Sequence, residues 1–284
     1  YRRQRQMCIR DRLIDASHGS SVYVYGDARD TSLIDRLVAD HEEVVHLAHA
    51  QMRGVTSTDP FMELSDNLAA TVPVFSAAAR HKVKVVLLSS GGTVYGQAVR
   101  VPILEEHALA PISSYGLTKL CVENCAAYFV KAAGLRCVTL RPGNAYGPGQ
   151  IPFRGQGFVA TAIATILNNE VVRVFGRPGT VRDYVYIEDI AKAILAALEK
   201  GEDAAVYNIG SGRGLSNDDM LDHIGKIVSA DGLTVQREYT ESRPEDVRCN
   251  VLDAYAFQRV SGWRPETNLE NGLERTYAWI KECR

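Results

Sequence analysis

Two residues near the middle of the chain have the types and spacing for proton transfer. Tyr115 and Lys119 are four apart, which on a helix places them on one face. An ammonium beside a phenol stabilises the phenolate and predicts a lowered Tyr pKa, making Tyr115 a general base or acid near neutral pH. The spacing alone is weak, and the chain carries its own control. Tyr277 and Lys281 repeat it in "LERTYAWIKECR", where only packing and a solvated Lys are expected. What separates them is context. Tyr115 follows a strand ending in Ser89-Ser90-Gly91-Gly92-Thr93 by about twenty-five residues and opens a helix.

The elements around this pair alternate short β-branched runs with helical patterns, which predicts an α/β fold on a parallel sheet. "SVYVYGD" (21–27) reads as a strand, 31–40 as a helix capped by Thr31 or Asp30, and 42–51 as a strand with its exit loop. A long helix is expected over 59–81, kinked at Pro73, then a strand over 83–92 and a helix over 113–134 closed by Gly134. A strand over 135–149 runs into a Pro/Gly-rich loop. Beyond 150 come short strands near 171–175 and 206–209 and helices near 156–168, 187–199, 216–230 and 270–281. In open parallel sheets ligands bind beyond the carboxyl ends of the strands. Four ends here carry small or polar residues: Gly26-Asp27-Ala28, His49-Ala50-Gln51, Ser89 to Thr93, and Pro142-Gly143-Asn144. Any one suits an ordinary loop; four together favour a cleft for something long.

Composition narrows the partners. The chain has 284 residues, 46% hydrophobic and 23% charged, with a formal net charge of −2. Without residues 1–12 the balance is 27 basic to 33 acidic residues, which argues against nucleic acid. No apolar run approaches the ~18 residues a membrane span needs. The six Cys show no framework spacing, so reduced thiols in a cytoplasmic protein are expected; Cys121 and Cys125 read as packing rather than metal ligands.

The motifs "HLAHA", "LLSSGGTVYG", "SSYGLTK", "LRPGNAYGPGQ", "TVRDYVYIEDIAKAIL", "YNIGSG", "RPEDV" and "SGWRPETNLENGLERT" occur in the order seen in extended short-chain dehydrogenases/reductases. From about residue 20 onward the chain resembles the nucleotide-sugar epimerases of the UDP-glucose 4-epimerase group. The resemblance implies a Rossmann-type doubly wound sheet, NAD held as a catalytic cofactor, and a UDP-sugar substrate epimerised at C4 through a transient 4-keto sugar. Tyr115 would take the proton of the 4-hydroxyl and Lys119 would hold the nicotinamide ribose. The implied cofactor contacts are Asp27 and Ala28 at the adenine end, Leu47, Ala48, His49, Ala50 and Gln51 along the cofactor, and Asn67 supporting that loop. Ser89 and Pro142 complete them at the strand ends. The implied substrate contacts are Asn144, Arg173, Phe175, Asp246 and Asn250, with Arg182 and Arg243 at the diphosphate. Asn250 aligns with a position whose bulk limits N-acetylated sugars, and its small size implies tolerance of them. The resemblance further implies a homodimer through helices 59–81 and 113–134.

Two departures stand out. The family places a Ser or Thr where this chain has Gly91, leaving Ser90 and Thr93 as the nearest hydroxyls. His49 replaces a small residue beside the cofactor. The motif also lacks the acids that related dehydratases and decarboxylases carry before Val-Tyr-Gly, which favours epimerisation over dehydration or decarboxylation; a nucleotide-sugar reductase or dehydratase of the same group is kept as an alternative that product mass distinguishes. A catalytically silent NAD-binding module is the alternative that Gly91 suggests.

The front of the chain reads differently. No Gly-rich turn precedes Asp27, and residues 1–20 cannot supply a βαβ unit of ~30 residues, so the first two strands and first helix of the fold are expected to be missing. "MCIRDR" also reads as a translated library adapter (ATG TGT ATA AGA GAC AG), so residues 1–12 are treated as an artefact. The expected organisation is a partial NAD-binding domain over 13–145 and a mainly substrate-binding region over 146–284. A chain lacking those strands is expected to bind NAD poorly.

Overall fold

The computed structural model describes residues 22–50, 60–154, 157–244 and 246–283. In chain order the elements are α1 (Thr31–Ala39), β1 (Glu43–His46), α2 (Pro60–His81), β2 (Lys84–Leu88), α3 (Ser114–Ala133), β3 (Arg136–Pro142) and β4 (Asn144–Tyr146). There follow α4 (Phe158–Leu167), β5 (Val172–Phe175), β6 (Val181–Tyr186), α5 (Ile187–Lys200), β7 (Val206–Ile209), β8 (Gly214–Ser216) and α6 (Asn217–Val228). The last are β9 (Arg237–Thr240), β10 (Cys249–Asn250), α7 (Tyr255–Ser261) and α8 (Leu269–Glu282).

The main sheet has the order β1-β2-β3-β7, and every pairing is parallel. All five residues of β2 are buried, as a central parallel strand covered on both faces requires. Its side chains alternate between two cores. Val85 and Leu87 pack with α1, α2 and α3 residues such as Val38, Phe75 and Val122. Val86 and Leu88 pack with Ile190 and Ala193 of α5 and Phe257 of α7. Lys84 fixes the start of β2 by donating to the Leu198 and Gly201 carbonyls at the end of α5. This is the doubly wound arrangement expected, and it directs the carboxyl ends of β1, β2 and β3 to one edge.

A second sheet, β10-β6-β4 with β8 antiparallel on β6, stands beside a two-stranded parallel pair, β5 and β9. Its core joins Tyr146, Ile163, Ile166, Met220, Ile224 and Leu273, which binds α4, α6 and α8 together. The fully buried Asp183 ties the two regions. Its carboxylate accepts from Ser211 N and Oγ, Gly212 N and Leu252 N. Burial pushes its pKa up, and these donors hold it down.

The strand expected over 21–27 does not form in its described part. Residues 22–27 have no regular structure, and Val22, Tyr23, Val24 and Tyr25 are all at least half exposed. Among the described residues β1 pairs only with β2, and no strand lies on its other side. Asp30, rather than Thr31, caps α1, accepting from Ser32 N and Leu33 N. The expected 135–149 strand is two: β3 stops at Pro142, and β4 enters the second sheet. The turn at Gly143 requires glycine, because a Cβ there would lie 2.6 Å from the Asp183 carbonyl. β6, β8, β9, β10 and α7 were not anticipated.

Candidate active site

α3 brings the central pair to the edge of the sheet. Ser113 caps it by accepting from Gly116 N, and Gly134 closes it in the left-handed region. A buried ion pair fixes it over β3: Arg141 Nη2 lies 2.6 Å from Glu123 Oε2, and Nε also donates to that carboxylate. Arg141 donates to Tyr95 Oη as well, and Tyr95 donates to Asn208. Lys119 lies one turn before Glu123. Sequence reasoning missed Glu123 and Arg141; the signal was an acid four residues after Lys119, on its own helix face.

Lys119 Nζ donates to the Leu88 carbonyl at 2.9 Å and lies 5.8 Å from the centroid of the Tyr115 ring. Burial lowers its pKa to about 8, against the pull of Glu123. Ser90 acts on Tyr115 to lower its pKa, but burial outweighs this and raises it above the ordinary phenol value. The lowered phenol expected from the Tyr–Lys spacing is therefore corrected. Desolvation dominates, and the Lys119 charge sits against a carbonyl at the strand end.

The question left by Gly91 is resolved by packing. A Cβ at Gly91 would meet Leu252 Cδ1 at 2.5 Å and the Arg141 carbonyl at 2.7 Å, so no hydroxyl fits there. Ser90 is the hydroxyl that acts on the Tyr115 pKa. Thr93 does not share that role: its Oγ1 is buried and finds no partner among the described residues. Asn144 comes close to this loop, since a Cβ on Gly92 would lie 3.2 Å from Asn144 Oδ1 and 3.8 Å from Ser90 Oγ. Ser89 Oγ is buried without a partner among the described residues, and Pro142, the last residue of β3, accepts from Gly91 N.

After β1, Leu47, Ala48 and Ala50 are exposed and His49 is half-buried. Asn67 clamps this loop, accepting from Ala50 N at 2.8 Å and donating to its carbonyl at 2.9 Å. Gln51 lies outside the described residues. Asp27 is half exposed and pairs with Arg29 in the turn before α1, with Ala28 between them.

The remaining positions lie in the second region. Arg182 is held by the Val181 and Val247 carbonyls. Burial lowers its pKa, and within 4 Å it meets no carboxylate among the described residues. Asp246 lies close enough to act on it electrostatically. Arg243 stacks its guanidinium 3.5 Å from the centroid of Phe175. Arg173 instead points outward and pairs with Glu238 across β5 and β9, both more than half exposed. Asn250 sits opposite Arg182 in the β6–β10 pairing. It is fully buried, and its Nδ2 donates to the Gly91 carbonyl at 2.9 Å. The structure therefore gives it a clear task, anchoring the Ser90 loop.

Residues 2–210 match the NAD dependent epimerase/dehydratase family, and the chain belongs to it. Within that family it is similar to the UDP-glucose 4-epimerase of Thermotoga maritima solved with UDP-glucose: 32% identity, TM-score 0.85, covering 94% of this chain and 89% of that one. It is 30% identical over 261 residues to the UDP-glucose 4-epimerase of Mycolicibacterium smegmatis, covering 91% of this chain and 82% of that protein. It is also 29% identical over 265 residues to a dTDP-glucose 4,6-dehydratase of an Actinoplanes species, covering 92% and 80%. Among the described residues no helix is long and apolar enough to cross a membrane, and no cluster of three or more metal-ligating side chains occurs.

Proposed function

We propose that this protein epimerises a UDP-hexose at C4 with NAD as its cofactor. The observation that carries the reading is Tyr115 with Lys119 one turn away, its Nζ 5.8 Å from the phenol ring and anchored on the Leu88 carbonyl, at the carboxyl ends of the strands. The residues present fit the nicotinamide half of a dinucleotide. Ser89 Oγ is buried and unpartnered among the described residues, the loop after β1 is clamped at Ala50 by Asn67, and Lys119 has donors beyond its bond to Leu88. When bound, NAD supplies the hydride acceptor and donor that opens and resets the configuration at C4.

The chain's own residues do the proton chemistry. Tyr115 takes the proton of the sugar 4-hydroxyl and returns it to the opposite epimer. Ser90, close enough to act on the phenol, orients that hydroxyl. Lys119 holds the ribose of the cofactor and offsets charge developing on Tyr115. Arg182 and Arg243 neutralise the diphosphate, and Phe175 carries Arg243 on its ring face. Asn144 meets the sugar. A homodimer through α2 and α3 belongs to this reading, supported by exposed Val72, Leu117 and Tyr128 on those helices.

Dehydration is the neighbouring chemistry in the family. Gly92 and Thr93 stand where dehydratases carry acids, which supports epimerisation. The test is incubation of the protein with NAD and UDP-glucose, UDP-galactose or their N-acetyl forms. Interconversion at constant mass is expected; a product lighter by one water, or no product from any of the four, overturns the proposal.

A further inference from the structure

His49 is an imidazole beside the site that the reaction above leaves unused. Its ring stands edge-on to Tyr115, with centroids 4.8 Å apart and planes at 80°. Its Nε2 faces Glu63 Oε1 at 3.4 Å, and both atoms are buried with no hydrogen-bond partner among the described residues. Glu63 rises from α2 and is only 3% exposed. Its other oxygen accepts from Ser114 Oγ at 3.0 Å, and Ser114 directly precedes Tyr115. One carboxylate thus reaches both the ring packed on Tyr115 and the residue before it. Asn67, one turn along α2, donates to the Glu63 carbonyl and clamps Ala50, so both ends of the arrangement are fixed.

We propose that His49 and Glu63 are positioning residues for Tyr115, clamping its ring at the strand ends and holding a negative charge near its phenol opposite the positive charge of Lys119. The proposal rests on Tyr115 being the proton-transfer residue. The groups facing Tyr115 are Lys119 on its own helix, Ser90 after β2, Glu63 on α2 and His49 after β1. His46 on β1 and Glu123 on α3 act on this set through His49 and Lys119. Burial, Lys119 and His46 together hold His49 at about 4, so its imidazole is neutral at pH 7 and leaves the Glu63 charge uncancelled. Glu63 accordingly raises the Tyr115 pKa where Ser90 lowers it.

Protein labelled with ¹³Cζ-tyrosine reads this directly, the Tyr115 resonance being assigned by its loss in Tyr115→Phe. Glu63→Gln keeps an acceptor for Ser114 and removes the charge. Tyr115 is expected to ionise about 1 pH unit lower in Glu63→Gln than in the wild type, and near the wild-type value in Glu63→Asp. The acid limb of kcat for UDP-sugar interconversion should move down with it, with KM within about twofold. His49→Ala should lower kcat about tenfold through loss of ring orientation, which tests the clamp without altering the buried carboxylate. An unchanged Tyr115 titration in Glu63→Gln, or an unchanged kcat in His49→Ala, overturns the proposal. A shifted titration in a protein that turns over no nucleotide sugar supports the clamp and overturns the assigned reaction instead.

Discussion

The molecule contains the same Tyr-x3-Lys pair twice, and the two copies have nearly identical internal geometry. Lys119 Nζ lies 5.8 Å from the Tyr115 ring centroid, and Lys281 Nζ lies 5.7 Å from that of Tyr277. A helix sets that distance wherever the spacing occurs. What differs is the partner. Tyr277 donates to Asp231 Oδ2 at 2.5 Å, and Lys281 pairs with the same oxygen at 2.6 Å. That carboxylate pins α8 to the 3₁₀ turn at Ser229–Asp231. Burial first, and then the carboxylate, pushes the Tyr277 phenol up to about 12. Tyr115 faces a neutral hydroxyl, and its lysine faces a carbonyl at a strand end. A phenol whose proton belongs to a carboxylate is a structural pin. One that no carboxylate holds by a hydrogen bond, where the strands end, can exchange its proton with a substrate.

Substitution at the two tyrosines gives the largest contrast. Tyr115→Phe should lower kcat for nucleotide-sugar interconversion about 10³-fold with little effect on stability, because the lost hydroxyl ties no element to another as Tyr277 ties α8 to Asp231. Tyr277→Phe should leave kcat within about twofold. Equal kinetic effects in the two variants would break the comparison. The lysines follow at smaller magnitude. Lys119→Met should lower kcat about 10²-fold while leaving the urea midpoint unchanged or higher, since the fold already disfavours this buried charge. Lys281→Met should cost about 0–1 kcal/mol, the range for an exposed ion pair, and leave kcat unaltered.

The sequence made one of these environments legible and hid the other. The parallel sheet, α2 and α3 followed from period and caps, because α3 has both a Ser N-cap and a Gly stop and β2 is apolar throughout. The contrast between the two pairs was also visible, since Tyr115 follows a Ser/Gly-ended strand and Tyr277 does not. Asp231 was hidden: it lies 46 positions from Tyr277, and only tertiary packing brings them together. Glu63 and Glu123 were missed for related reasons. Glu63 meets Ser114 across 51 positions, and Glu123 reads as an ordinary solvated helix charge until Arg141 is placed opposite it. The phenol's direction was misjudged because spacing predicts the nearby charge but not the depth of burial. The 21–27 strand failed for the converse reason. Its alternation was right, but a strand also needs a neighbour, which no local pattern supplies.

Stability against pH separates the pairs at the smallest scale. Lys119 titrates at about 8 in the folded chain and near 10.5 in the unfolded one. Between those values the unfolded chain holds a proton that the folded chain has released, so this group makes stability rise with pH across the window. The destabilisation is complete below pH 8 and gone above 10.5. Its full size is about 3 kcal/mol from the shift. Urea midpoints at pH 8 and pH 10 should therefore differ by a component that disappears in Lys119→Met and survives in Lys281→Met. Tyr277→Phe then removes one hydrogen bond to Asp231 and should cost about 1 kcal/mol, with Lys281 still holding the carboxylate. A loss several times larger would mean that the phenol, rather than the ammonium, carries the pin.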